Sequence, residues 1–136
     1  MKKLSDDDPL FQAFLAQVGE PNEESWSGIR VYDWHDYLGS IRDSNRVDAV
    51  RRAQRFVVIS SKRFFVQNVL TRTIEQRRLS DIRAVRLTRP PGKMWSGPEA
   101  TVKVECLESD EGPSDYLWTT EKTRARSLYK LLRSLV

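Results

Sequence analysis

The stretch Arg55-Phe56-Val57-Val58-Ile59-Ser60-Ser61-Lys62-Arg63-Phe64-Phe65-Val66 decides the fold. Two short runs rich in β-branched and aromatic residues flank a four-residue polar turn, the pattern of a hairpin rather than of a helix. Downstream the same period continues in Ile74–Leu79, in Val85 with Leu87, in Val102, Val104 and Cys106, and in Tyr116 with Trp118. Thr71-Arg72-Thr73, the Pro90-Pro91-Gly92 stretch and Glu108–Pro113 punctuate these runs as turns and loops. With Arg46–Ala53 added upstream, seven strands are predicted over about 46–119.

The last element differs in kind. Behind Thr120, a candidate cap, Ala125, Leu128, Tyr129, Leu132 and Leu135 share one helical face and Lys122, Arg124, Arg126, Lys130 and Arg133 cover the others. A helix over about 121–135 is predicted. Seven short strands closed by one amphipathic helix describe a mainly β (α+β), pleckstrin-homology-like, seven-stranded, partly open barrel or sandwich capped by its C-terminal helix. Towards the N-terminus, Asp8 and Pro9 start a short helix of about 9–18 whose apolar face is Leu10, Phe11, Phe14, Leu15 and Val18. Gly19–Ser27 reads as a polar, acidic linker. The expected division is 1–27, helix and linker, and 28–136, the β domain. Trp34, Tyr37, Leu38 and Ile41 recur at helical spacing behind Asp33, with strand left open by their aromatic composition.

Charge is segregated. Ile41–Lys93 holds fourteen Lys/Arg against four Asp/Glu, whereas Glu99–Glu121 sums to −6, so the formal +4 conceals a basic middle. A basic surface of that kind concentrates anionic partners. The lone Cys106 makes no internal bridge, no stretch is apolar and long enough to span a bilayer, and Ser5-Asp6-Asp7-Asp8 interrupts any secretory signal, which points to the cytosol.

Arg55–Val66 followed by Arg78-Leu79-Ser80-Asp81-Ile82-Arg83-Ala84-Val85, with Asp36-Tyr37-Leu38-Gly39 upstream, resembles the tail-homology-1 domain of class I myosins over about Asp36 to Val136. The resemblance implies binding to anionic phosphoinositide membranes by basic residues of the first loop, here Arg51, Arg52 and Arg55, and of the next turn, Lys62 and Arg63. Arg51-Arg52-Ala53-Gln54-Arg55 departs from the family's tighter basic spacing, which puts recognition of one particular headgroup in question. Arginine is the right type for phosphate, because its planar fork donates bidentately. Against this stands a merely solubilising basic surface.

Met94 and Trp95 sit on the breaker-rich Pro90–Pro98 loop, where a tryptophan folds back on the barrel, dips into a bilayer interface or anchors a partner. Leu10, Phe11 and Phe14 are the matching candidates on the N-terminal helix, for a partner protein or a second copy of the chain. Catalysis finds little support: His35 has no metal-ligand companion, Cys106 lies on an apolar strand face, and no phosphate loop or nucleophile elbow is present. No catalytic residue, metal site or cofactor is therefore expected. Nucleic acid is disfavoured because Phe56, Phe64 and Phe65 lie in continuous apolar runs. The expected function is a non-catalytic module that targets anionic phospholipid membrane at the membrane–cytoskeleton boundary. The alternative is a cytoskeletal or scaffold adaptor that binds protein without lipid.

Overall fold

A computed structural model describes residues 14, 17, 27–42, 45–89, 99–108 and 112–136. Seven strands form one antiparallel sheet: β1 Ser27–Asp33, β2 Gln54–Ile59, β3 Arg63–Asn68, β4 Ile74–Arg78, β5 Ile82–Thr88, β6 Glu99–Cys106 and β7 Asp115–Glu121. Helices α1, Trp34–Ile41, and α2, Arg46–Ala53, connect β1 to β2, a 3-10 turn at Leu79–Asp81 connects β4 to β5, and α3, Lys122–Leu135, follows β7. The order across the sheet is β4-β3-β2-β1-β7-β6-β5. The sheet is curled, and α3 packs on β5, β6 and β7, which makes the expected pleckstrin-homology-like half-barrel with a C-terminal helix.

The hairpin behaves as read, with Val57 opposite Val66 and Ile59 opposite Phe64. Its runs are continuous rather than alternating because both faces are covered. Val57, Ile59, Phe64 and Val66 join the main core with Val102, Val104, Trp118 and the α3 residues Ala125, Leu128, Leu131 and Leu132. Phe56, Val58 and Phe65 point the other way, into a second cluster that takes in Phe14. Phe14 is fully buried, with its ring edge-on to Phe65 at 4.9 Å. Phe14 and Gln17 are both helical, as predicted; Leu10, Phe11 and the rest of the 9–18 helix lie outside the described residues, as do Met94 and Trp95.

Two elements exchange identity with respect to the sequence reading. Arg46–Ala53, expected as the first strand, is helix α2: the Asn45 side chain accepts from the Asp48 N–H at 2.9 Å, and Ala49 and Ala53, four residues apart, form its buried face. Asp48 in the first turn and Arg51 and Arg52 in the last complement the helix dipole. The first strand is β1 instead, where Ile29 and Val31 point into the main core. At Trp34 the helical option holds, since Asp33 caps α1 by accepting from the Asp36 N–H at 3.1 Å. At α3 the N-cap position is Glu121, not Thr120, and no side chain caps it. A bulge between Ile82 and Ala84 breaks the strand alternation, and Arg83 and Arg86 are both exposed.

The sheet ends at β4 and β5, and Arg77 lies on the β4 end. Its guanidinium is buried at 1% exposure and donates from Nη1 to the Pro113 carbonyl at 2.8 Å and from Nη2 to the Leu107 carbonyl at 2.9 Å, joining β4 to the β6–β7 connection. A Cβ on Gly112 would come within 2.9 Å of Tyr116 Oη and 3.1 Å of Arg77 Nη1, so a larger residue there would have to displace these side-chain ends. Burial pushes the Tyr116 phenol up to about 12, against the opposing pull of Arg77.

Two outcomes are expected. Leu128→Ala should cost about 2–5 kcal/mol by chemical denaturation, since it opens a cavity in a fully buried site. Because the folded phenol titrates above its ordinary 10.0, it adds stability in full below pH 10.0, and that contribution is lost as pH rises towards about 12. Tyr116→Phe should flatten this alkaline limb in melts taken between those values.

Candidate functional site

Helix α2 feeds directly into β2, so Arg51 and Arg52 stand exposed at one end of that strand, while Lys62 and Arg63 follow or face its other end. Five strand steps at about 3.3 Å each put roughly 17 Å between those ends. The five basic residues named from the sequence are thus divided into two groups. Arg63 lies over the Phe65 ring at 4.7 Å and donates to Gln76 Oε1 at 2.8 Å.

Arg55 has a local role. It is 8% exposed, ion-paired to Asp36, and its Nη1 donates to the Arg52 carbonyl at 2.7 Å and the Gln54 carbonyl at 3.0 Å. These bonds fasten α1 to the junction of α2 and β2. Asp33 beside it is raised by burial, an effect that its bond from the Asp36 N–H and the Arg55 charge offset only in part.

A cavity of about 390 Å³ opens at this end of the sheet. Its origin is the topology: β1 pairs with β7 only through Tyr32 opposite Thr119 and Asp33 opposite Trp118, and the two strands part beyond that point. The walls are Arg30 and Tyr32 from β1, Gln54 and Arg55 from β2, Thr120 and Glu121 from β7, Glu99 from β6 and Arg124 from α3. A smaller pocket beside it is shaped by Trp34 stacked on Tyr37 at 5.0 Å and also reaches Glu99. Burial raises the Glu99 carboxyl, with the Arg46 guanidinium opposing. The uncapped first turn of α3 adjoins the cavity, and its free N–H groups add positive potential.

The turn after β3 contributes one more cation at the same end. Asn68 accepts from the Leu70 and Thr71 N–H groups and holds Arg72 at φ 66, the left-handed region that costs a non-glycine residue about 1–2 kcal/mol. Arg30, Arg124 and Glu99 were not singled out by sequence, because their value lies in being brought together from β1, α3 and β6. Elsewhere the basic residues pair on the surface, Arg78 with Asp81 at 4.0 Å and Arg86 with Glu105 at 3.9 Å, contacts worth about 0–1 kcal/mol. His35 is exposed and 3.8 Å from Asp115, and Cys106 is buried with its thiol pushed up.

No protein-family model and no curated protein sequence matches the chain. Among solved structures it is similar to the hSac2 domain from human phosphoinositide phosphatase Sac2, over 93% of this chain and 78% of that chain, with a TM-score of 0.59 at 12% identity. At that identity the likeness shows the fold. It overturns the resemblance to the tail-homology-1 domain of class I myosins, and the motifs behind that resemblance have local explanations. Leu79-Ser80-Asp81 is the 3-10 turn between β4 and β5, and Asp36–Gly39 lies inside α1.

Glu99 gives a signed expectation. Its folded-state pKa is raised, so the protonated form favours folding: that stability is complete below the ordinary 4.5 and is lost as pH rises through the folded value. Glu99→Gln should therefore be more stable than the native chain at pH 7, with the difference closing below 4.5 in paired denaturation curves.

Proposed function

We propose that the chain is a non-catalytic targeting module that binds anionic phospholipid surfaces, phosphoinositide-bearing membrane among them, through the arginine-rich end of the half-barrel. The observation that carries the reading is the convergence at that end of exposed Arg51, Arg52 and Arg72 around a cavity walled by Arg30, Arg55 and Arg124. Each cation near an anionic leaflet contributes about 1 kcal/mol, so three or four give reversible attachment. The strained Arg72 supports the reading, because an arginine is held where glycine would sit more easily. The hSac2 domain's parent is called a phosphoinositide phosphatase, which agrees with a phosphoinositide-related role. Among the described residues no helix is long and apolar enough to cross a membrane, so attachment at the surface is the mode proposed. Lys62 and Arg63, at the far end of β2, take no part in this contact.

A protein-interaction adaptor is the second reading. It is favoured by β5, whose ladder partner among the described residues is β6 alone and whose Leu87 is 36% exposed, leaving one strand edge for an extended segment of a cytoskeletal or scaffold protein.

Sedimentation with vesicles of matched charge separates the two. The native chain should pellet with anionic vesicles at low salt, and Arg51→Glu/Arg52→Glu should lower that partitioning by about tenfold or more. Failure of the native chain to pellet at low salt removes the membrane reading. Pelleting that ignores headgroup identity and vanishes in moderate salt reduces it to nonspecific attraction.

A further inference from the structure

We infer that the cavity between β1 and β7 is a binding site for a phosphorylated polyol, its phosphate held by Arg30 and Arg124 and its hydroxyls by Glu99 and Glu121. The inference deepens the membrane reading, on which it rests only for the source of the ligand.

The chemistry of the walls selects this class. Three guanidinium groups and the uncapped N-terminus of a fourteen-residue helix supply donors and positive potential suited to a phosphate. Arg55 is buried and ion-paired to Asp36, so it acts as a fixed charge in the wall, and the exposed Arg30 and Arg124 line the same space. A bare phosphate is poorly served, because Glu99 and Glu121 would repel it. The same two carboxylates are strong acceptors for hydroxyl groups, and Thr120 and Gln54 add further polar contacts. A ligand that carries phosphate on one side and hydroxyls on the other satisfies both sets together. Burial also weakens Glu99 as an acid, which softens its repulsion of an anion. At about 390 Å³ the space falls within the ~300–1,000 Å³ usual for small-molecule sites.

One ligand chemistry has two sources here, a soluble polyol phosphate or the headgroup of a phosphoinositide. Isothermal titration of the full chain with inositol trisphosphate, with inorganic phosphate and with myo-inositol tests the site. Vesicles with and without phosphoinositide, at equal surface charge, test the source. Inositol trisphosphate should bind saturably, and inorganic phosphate and myo-inositol each at least about tenfold more weakly. Arg124→Glu should weaken inositol trisphosphate about tenfold or more, and Lys62→Glu, at the far end of β2, should leave it within about twofold. Circular dichroism checks that each variant is folded, and Arg30→Gln replaces Arg124→Glu if α3 is disturbed.

Absence of saturable binding overturns the inference, as does equal binding of inorganic phosphate or indifference to both Arg124→Glu and Arg30→Gln. Failure of the two readings is distinguishable. Vesicle pelleting without inositol trisphosphate binding leaves the surface reading standing and sinks the cavity. Inositol trisphosphate binding without pelleting upholds the cavity with a soluble ligand and sinks the surface reading.

Discussion

A single buried guanidinium closes this fold. The sheet terminates at β4 and β5, and no ladder bonds join them. Arg77 reaches across with two charge-assisted donations to the Pro113 and Leu107 carbonyls, inside a pocket shaped by Gly112 and Tyr116. Lysine would serve less well, because a single ammonium nitrogen would have to reach both carbonyls that Nη1 and Nη2 take separately. Strand β7 is placed by its ladder with β6, from Glu99 opposite Glu121 to Glu105 opposite Asp115, and the bridge fixes the connection just ahead of it, since Pro113 lies two residues before the strand begins. Once β7 is anchored at its start and paired with β1 at Tyr32 and Asp33, its far end must leave β1 to enter α3. The cavity is that departure.

The two ends of the molecule therefore have different electrostatic characters. At one, cations pair with nearby carboxylates or lie over rings, as Arg78 with Asp81 and Arg63 over Phe65. At the other, arginines from β1, β2 and α3 meet around a partly enclosed space where two carboxylates temper the charge. Arg55 shows why a basic residue in a promising position is not by itself a surface ligand. Its bonds to Asp36 and to two backbone carbonyls give it a structural task, and the wall of the cavity is a by-product.

Much of the architecture was legible in the sequence. The Arg55–Val66 hairpin, the β4 to β7 runs and the amphipathic C-terminal helix declared themselves through period and punctuation. The errors have physical causes. Arg46–Ala53 looked like strand because its two valines and three arginines masked an Ala49/Ala53 helical face, and the Asn45 cap carries the decision. Strand β1 was overlooked because only Ile29 and Val31 mark its core face, next to a polar linker. The candidate site was half legible: Arg51 and Arg52 stood out as a pair, whereas Arg30 and Arg124 gain meaning only through β1 meeting α3 near the end of β7. The Leu79-Ser80-Asp81 part of the myosin-like motif is the 3-10 turn between β4 and β5.

The halves on either side of the β1–β7 junction are consecutive lengths of chain: Ser27 to Arg78 builds β1 to β4 with α1 and α2, and Ile82 to Leu135 builds β5 to β7 with α3. They are held as one body by a shared core, in which Val57, Phe64 and Val66 of the first meet Val102, Trp118 and Leu128 of the second, while the backbone seam between them is two residue pairs long. A molecule lodged in the gap would touch both halves and so work as mortar, its affinity adding to the cohesion that the shared core already gives the joint.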